Sequence, residues 1–210
     1  MTKKQIRTLA LERRDQMPDN DRRRADEVIR IRVIEKVNRS SVKNILIYCS
    51  YLTETDTGIL ISRLVQMEKK VYCPRVTDPQ MRKMDFFRVL SDSDLKEGFH
   101  GIYEPVTDEV YPAERYGYDD IQTGKHADRH RNTLMIIPGV AFNHSCDRIG
   151  YAGGYYDRYI PRVPGAGLIG ICYEQQVFDM PFPVEETDRR VQAVYTQDNV
   201  YMSAADALAE

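Results

Sequence analysis

The stretch that decides the fold runs from Leu134 to Ile160 and reads LMIIPGVAFNHSCDRIGYAGGYYDRYI. It starts with four apolar residues, Leu134 to Ile137, and Pro138-Gly139 stops this run. A short apolar run bounded by turn residues predicts a buried strand. We expect the strand to lead into a glycine-rich loop at 150–154 and then into a short helix from Asp157 to Ile160.

The loop after this strand is suited to binding an anion. Its glycines let backbone N–H groups approach a phosphate, and the N-terminus of a following helix adds its dipole. Arg148, expected in the same loop and outside the core, would add a charge-assisted contact that could be bidentate. The alternative is that the glycines form turns and the two tyrosines pack. The spacing fits neither a Walker A loop nor the dinucleotide-binding fingerprint.

Length and composition indicate one globular domain over residues 1–210, with 42% hydrophobic and 30% charged residues. The formal net charge of −2 gives no reason to expect a nucleic-acid partner. The charged N-terminus does not resemble a signal peptide, and no apolar run is long enough for a membrane span. Four dispersed cysteines predict reduced thiols rather than disulfides, which fits a cytoplasmic protein.

Helical and extended patterns alternate along the chain. This alternation predicts an α/β fold, with a mostly parallel central sheet between two helical layers. Helices are expected at 3–17, at 21–38 after an Asp19-Asn20-Asp21 cap, and at 59–69. Strands are expected at 44–49, 70–74, 84–90, 134–137, 167–172 and 191–195. We expect a capped helical turn at 91–98 and an extended link at 101–105.

A polar loop follows the first predicted strand, where open α/β sheets place ligands. It contains two acidic residues, Glu54 and Asp56. Asp56 is well placed to cap the next helix, which would explain it without a ligand. Glu54 has no such role in the predicted structure, although an exposed loop acid needs none.

Two further patterns can be explained as solvated surface without a functional role. Lys3 and Arg7 lie four residues apart and should share one side of the first helix, where basic residues are usually solvated. His126 and His130 have the spacing of a metal-binding pair within a polar stretch at 107–132. With no HExxH motif and no obvious third ligand, we interpret this stretch as a solvated surface insertion.

Several short motifs follow one another in a characteristic order: Lys3-x-x-x-Arg7, Glu54-x-Asp56-Thr57, Glu104-Pro105, Pro138-Gly139-x-x-Phe142, and then Gln176, Pro183, Asp188 and Thr196. The most specific motif is Arg148-Ile149-Gly150-x-x-x-Gly154-Tyr155-Tyr156-Asp157. Their order and spacing over most of the chain resemble the 5-formyltetrahydrofolate cyclo-ligase family, also called 5,10-methenyltetrahydrofolate synthetases. The chain departs from the family pattern at Asn143, Cys146, Ala152 and Thr187.

The resemblance implies an ATP-dependent enzyme that converts 5-formyltetrahydrofolate to 5,10-methenyltetrahydrofolate and releases ADP and phosphate. The formyl oxygen on N5 would take the γ-phosphoryl group, N10 would attack the same carbon, and phosphate would leave. Such chemistry needs alignment, cations and a metal ion more than a protein nucleophile. The implied cofactors are therefore ATP and Mg²⁺.

The resemblance also implies a role for individual residues. Arg148 and Tyr155 would be catalytic, and Asp157 and Asp188 would bind Mg²⁺ through their oxygens. The residues implied to bind ATP are Lys3, Arg7, Arg148, Ile149, Gly150, Tyr151, Ala152, Gly153, Gly154, Tyr155 and Tyr156. The residues implied to lie at the folate are Tyr51, Glu54, Asp56 and Tyr155. The family's substrate-contacting acid aligns with Asp56.

Other hypotheses remain open at this point. A non-catalytic folate- or nucleotide-binding protein could have the same fold, and so, less well supported, could a phosphosugar-type enzyme. The folate would be a small-molecule partner both of a cyclo-ligase and of a folate-binding protein. The sequence does not distinguish a monomer from a homodimer.

Overall fold

The structure is a computed structural model that describes residues 1–113 and 130–204. The remaining residues, 114–129 and 205–210, lie outside the described part, which also places His126 and most of the predicted insertion there. His130, at the end of that insertion, is buried, and its Nδ1 atom lies 2.6 Å from the hydroxyl oxygen of Tyr111. The prediction of a solvated surface is therefore wrong for His130.

A seven-stranded sheet forms the centre of the described structure, in the order β12-β11-β9-β6-β1-β2-β3. The inner pairings are parallel, and only the two edge strands, β3 and β12, are antiparallel to their neighbours. The strands of this sheet are β1 (Asn44–Ile47), β2 (Lys70–Asp78), β3 (Lys83–Val89), β6 (Thr133–Ile137), β9 (Gly167–Ile171), β11 (Ala193–Tyr195) and β12 (Val200–Met202). The predicted mostly parallel α/β sheet is confirmed.

Two helices cover one face of this sheet, α2 (Asp19–Asn38) and α3 (Gly58–Gln66). Ile45 and Ile47 of β1 point toward them, whereas Leu46 points to the other face, as the alternation of a strand requires. The other face packs against the short helix α4 (Tyr155–Tyr159) and the 3-10 turn that follows it. The predicted three-layer arrangement is confirmed.

A smaller sheet lies beyond the carboxyl ends of the parallel strands, in the order β10-β7-β8. It packs against α1 (Lys3–Asp15) through a separate apolar cluster that includes Ile6 and Ala10. Its strands are β7 (Ala141–Asn143), β8 (Arg148–Ile149) and β10 (Val177–Phe178). A two-stranded ribbon joins β4 (Leu95–Glu97) to β5 (Tyr103–Pro105). The small sheet places α1 beside the glycine-rich loop.

Helix ends differ in detail from the sequence prediction. α1 begins with a capping box between Thr2 and Gln5, which the sequence analysis did not predict. The predicted aspartate cap of α2 is wrong, because Pro18 is the cap residue and provides no side-chain bond. Asp19 and Asp21 lie instead in the first turn, where their charges favour the helix dipole.

All four cysteines are buried, and none of them forms a disulfide within the described residues, as predicted. Within the described ranges, no helix combines the length and apolarity that crossing a membrane requires.

Candidate active site

Arg148 lies in a strand and not in the loop. It belongs to β8, and its side chain is only 4% exposed. One guanidinium nitrogen lies 2.5 Å from Asp157 Oδ1, and another donates to the Pro138 carbonyl oxygen at 3.3 Å. The expectation of a solvent-side loop arginine outside the core is therefore wrong. Arg148 joins the small sheet to α4, so its loss should disturb both folding and the site.

The glycine loop, residues 150–154, follows β8 directly and contains two left-handed residues. Ala152 has φ +67° and Gly154 has φ +68°. A left-handed backbone is routine for glycine but costs an alanine about 1–2 kcal/mol. The helix behind the loop has only five residues, so its dipole adds less than the sequence prediction assumed.

Two arginines contact the backbone carbonyls of this loop. Arg7 Nε donates to the Gly150 oxygen at 2.8 Å, and Arg158 donates to the oxygens of Gly153 and Gly154 at 3.3 and 3.1 Å. Across the described residues, the five N–H groups of 150–154 have no hydrogen-bond partner. Fixed carbonyls and unpaired N–H groups make this loop suited to an anion.

Lys3 lies one helical turn before Arg7, the residue that contacts the loop, and it is not a solvated surface residue. Its Nζ atom lies 2.6 Å from Asp188 Oδ2 and 2.9 Å from Glu185 Oε1. Burial opposes ionisation of Asp188, but the hydrogen bond and charge of Lys3 outweigh this and lower the pKa of the carboxyl group. Lys3 and Asp188, although 185 residues apart, are therefore brought into one site.

The described structure thus has two ion pairs where the resemblance implied a Mg²⁺ site. Asp157 pairs with Arg148, and Asp188 pairs with Lys3, each through one carboxylate oxygen. No group of three or more histidine, cysteine, aspartate or glutamate side chains suited to a metal occurs among the described residues. The two carboxylates would suit Mg²⁺, which commonly binds one or two carboxylates together with phosphate oxygens.

Arg14 belongs to the same face of α1 as Arg7, two helical turns further on, and the sequence analysis missed it. Its side chain is 4% exposed, and a guanidinium nitrogen donates to the Tyr151 hydroxyl at 2.7 Å. The spacing of Lys3, Arg7 and Arg14 along one face was the signal that could have found it. The helix therefore contacts the glycine loop at both Gly150 and Tyr151.

The two acids of the loop after β1 have different surroundings. The prediction that Asp56 caps α3 is wrong, because Thr57 is the cap residue; Asp56 Oδ1 instead accepts a hydrogen bond from the N–H of Gly58, the first residue of α3, at 3.1 Å. Glu54 accepts a hydrogen bond from the Tyr51 N–H at 2.8 Å. Burial raises the pKa of its carboxyl group, and the nearby Tyr151 hydroxyl and Arg14 charge oppose that rise. Glu54 lines a small polar crevice together with Arg14. Glu54, rather than Asp56, faces the glycine loop.

The two tyrosines after the glycine loop differ in role. The Tyr156 ring packs edge-on against Phe86 at a centroid distance of 6.4 Å, next to the sheet. Tyr155 lines an open groove of about 240 Å³ between α4 and the β2–β3 turn. We call it the cationic groove, and its lining residues are Met81, Arg82, Lys83, Met84, Tyr155, Arg158, Tyr159 and Arg162. The sequence analysis did not predict this groove.

The departures at Asn143 and Cys146 lie in the turn between β7 and β8. Asn143 is buried, and its side-chain oxygen accepts from the N–H groups of Ser145 and Asp147 at 3.1 and 2.8 Å. Cys146 has φ +63° in the same turn. Both residues shape the approach to Arg148 and lie outside the loop itself.

Comparison with known proteins gives one consistent result. Residues 1–197 match the model of the 5-formyltetrahydrofolate cyclo-ligase family. The mitochondrial 5-formyltetrahydrofolate cyclo-ligase of Arabidopsis thaliana is 30% identical over 196 residues, covering 85% of this chain and 68% of that protein. The cyclo-ligase of Haemophilus influenzae is 26% identical over 182 residues, covering 85% of this chain and 90% of its own length.

A solved structure has the same fold. The 5,10-methenyltetrahydrofolate synthetase of Aquifex aeolicus superposes with a TM-score of 0.77 at 26% identity, covering 97% of this chain and 94% of that one. The family resemblance of the sequence motifs is therefore confirmed for nearly the whole chain.

Proposed function

The chain is an enzyme of the 5-formyltetrahydrofolate cyclo-ligase family, and we propose that it converts 5-formyltetrahydrofolate to 5,10-methenyltetrahydrofolate with consumption of ATP and release of ADP and phosphate. The observation that carries the ATP dependence is the glycine loop, whose unpaired N–H groups lie beside Lys3 and Arg7. Unpaired N–H groups next to basic side chains favour a ligand that carries phosphate.

The proposed chemistry activates a poor leaving group. The formyl oxygen attacks the γ-phosphorus, the bond to the β-phosphate oxygen breaks, and ADP leaves. N10 of the folate then attacks the formyl carbon and loses its proton. The phosphorylated oxygen departs as phosphate, which can take up that proton, while the methenyl bridge closes. Alignment and charge neutralisation provide the catalysis, so the buried cysteines have no part in it.

In this proposal the phosphates bind between α1 and the glycine loop. The N–H groups of residues 150–154 donate to phosphate oxygens, and Lys3, Arg7 and Arg148 supply positive charge. Since Lys3 and Arg148 already contact carboxylates, the incoming phosphates replace those partners. Asp157 and Asp188 are then available to hold Mg²⁺, which supplies further neutralisation of phosphate charge.

We place the folate on the other side of the loop. Glu54 is our candidate for the acid at the pterin, because it lies near Tyr151 of the loop whereas Asp56 bonds to the first residue of α3. Tyr51 orients Glu54 through its backbone, and Tyr155 contacts the substrate from the groove side. The glutamate end of the folate carries two carboxylates, which suits the basic side chains of the cationic groove.

The remaining assignments of the sequence analysis are kept as proposals. Ile149 and Tyr156 support the site by packing, and Tyr155 and Arg148 are the catalytic candidates. We also keep the predictions that the protein is cytoplasmic and that residues 1–210 form one domain.

The test is a conversion assay with purified protein. We expect the near-ultraviolet band of 5,10-methenyltetrahydrofolate to grow only when protein, Mg-ATP and 5-formyltetrahydrofolate are all present, with one ADP formed per product. Growth of the band without ATP would contradict the phosphoryl-transfer route.

A second candidate, a non-catalytic binding protein on the same fold, is favoured by the alanine at a left-handed position in the glycine loop. It predicts that calorimetry detects binding of both ligands while no product band grows. Turnover in the conversion assay would exclude it.

A further inference from the structure

We propose that Asp26 of α2 is a positioning residue for folate binding, because it holds the backbone of the loop that carries Glu54 and Asp56. This inference rests on the proposed function, which places an acid of that loop at the pterin. The sequence analysis gave Asp26 no role beyond its place in the second helix.

The loop after β1, residues 50–57, has no helix or strand of its own. Its two ends are joined, because the Ser50 N–H donates to Thr57 Oγ1 at 2.8 Å and the Thr57 N–H donates to Ser50 Oγ at 3.2 Å. Between them, Leu52 has φ +52°, a left-handed conformation that is unfavourable for a residue other than glycine. Such a backbone persists only where surrounding contacts hold it.

Asp26 connects this loop to the carboxyl end of β9. Its Oδ1 atom accepts hydrogen bonds from the Asp56 N–H at 3.1 Å and from the Tyr173 hydroxyl at 2.8 Å. The same hydroxyl oxygen lies 3.5 Å from the Glu54 carbonyl oxygen. Because Tyr173 is only 1% exposed, its ring gives Asp26 a fixed partner.

The peptide group between Thr55 and Asp56 is held at both ends. Its carbonyl oxygen accepts from the buried Tyr48 hydroxyl at 3.2 Å, and its N–H is the group that donates to Asp26. A planar peptide group moves as one unit, so a contact at each end stops it from rotating. Glu54 precedes this peptide and Asp56 follows it, so its orientation sets the directions of both acids.

The consequence concerns the affinity for the folate. Without the Asp26 acceptor, the peptide keeps its contact with Tyr48 alone and can rotate. The folate would then have to order Glu54 on binding, and this cost weakens affinity. In the proposed function, the phosphates of ATP bind through α1 and the glycine loop, so the affinity for ATP depends on other contacts.

The test compares Asp26→Ala with Asp26→Asn and with Glu27→Ala, which removes a neighbouring exposed acid of the same helix. Asparagine keeps an acceptor oxygen, whereas alanine removes it. We expect Asp26→Ala to raise the KM for 5-formyltetrahydrofolate about tenfold and to leave the KM for ATP within about twofold. We expect Asp26→Asn to raise the folate KM less than about threefold, and Glu27→Ala to change neither KM.

A role in folding alone gives a different pattern. It lowers the fraction of folded enzyme, and therefore the apparent kcat, without raising the KM of one substrate. Tyr173→Phe keeps the buried ring and removes only the hydroxyl, so it tests the same connection even if Asp26→Ala does not fold. We expect it to raise the folate KM about threefold, with thermal melting used to confirm that each variant is folded.

Three results would overturn the inference and leave the proposed function intact: an unchanged folate KM in both Asp26→Ala and Tyr173→Phe, an equal rise in the KM values of folate and ATP, or an Asp26→Asn protein as impaired as Asp26→Ala. An unmodified protein that forms no product would overturn both.

Discussion

The two sides of the glycine loop both carry positive charge, but they differ in how that charge is compensated. On the α1 side, Lys3 contacts Asp188, and the buried Arg148 contacts Asp157. The cationic groove on the other side has four basic lining residues, and in the described structure its acidic neighbour is Asp85, which contacts Lys83 and Arg162. On the α1 side, the cations already contact carboxylates, so the site is ordered before a ligand arrives. When the ligand binds, it must replace those carboxylates. A groove with one carboxylate for four basic side chains keeps a net positive charge, which attracts anions over a longer distance.

Among the substitutions that test this comparison, loss of Arg148 should have the largest effect on stability and turnover. Arg148→Ala leaves Asp157 without its cation beside a buried strand, so we expect the free energy of unfolding to fall by about 3 kcal/mol and turnover to be lost. Urea denaturation and the conversion assay measure the two effects. Arg39→Ala, at a side chain that is 82% exposed, is the control and should change stability by less than about 0.5 kcal/mol. A stable and active Arg148→Ala protein would disprove the compensated-site description.

Loss of Arg7 should have an intermediate effect confined to the α1 side. Arg7→Gln removes the contact with the Gly150 carbonyl, and a charge-assisted hydrogen bond of about 1.5 kcal/mol corresponds to about a tenfold higher KM for ATP. A bound, non-hydrolysable ATP analogue should also protect the amides of residues 150–154 from hydrogen exchange less well than in the unmodified protein. Lys4→Gln, on an exposed position of the same helix, should change neither quantity. Unchanged exchange in Arg7→Gln would mean that α1 does not order the loop.

Replacing Ala152 should have the smallest effect, and it should be favourable. At φ +67° the substitution Ala152→Gly relieves a left-handed alanine, so stability should rise by about 1 kcal/mol with activity equal or higher. Thermal melting and the conversion assay measure both. Lower stability in Ala152→Gly would show that the alanine methyl group makes a compensating contact.

The sheet could be predicted from sequence where the strands were long enough to show a pattern. Residues 134–137 form a continuous apolar run, and the structure has them fully buried in β6. Strands of two or three residues, such as β8 and β10, are too short to show any period, so the small sheet was missed. Arg148 was consequently placed in a loop instead of a strand.

The site was predictable as a set of residues but not as a set of contacts. The order of motifs identified Lys3 and Asp188, yet nothing in the sequence indicated that they contact each other. The spacing of Lys3, Arg7 and Arg14 puts them on one face of α1, but nothing in this basic helix indicated that Arg14 is buried. The cationic groove combines a turn after β2 with α4, and only the tertiary structure brings these segments together.

The most direct test of the division between the two sides is a crossed kinetic measurement on Lys3→Gln and Arg82→Gln. We expect Lys3→Gln to raise the KM for ATP about tenfold and to leave the KM for 5-formyltetrahydrofolate unchanged. We expect Arg82→Gln to leave the KM for ATP unchanged and to raise the KM for the folate about threefold, since its charge is more exposed to solvent. If both substitutions raise the KM of the same ligand, the two sides of the glycine loop do not bind different ligands, and the account is wrong.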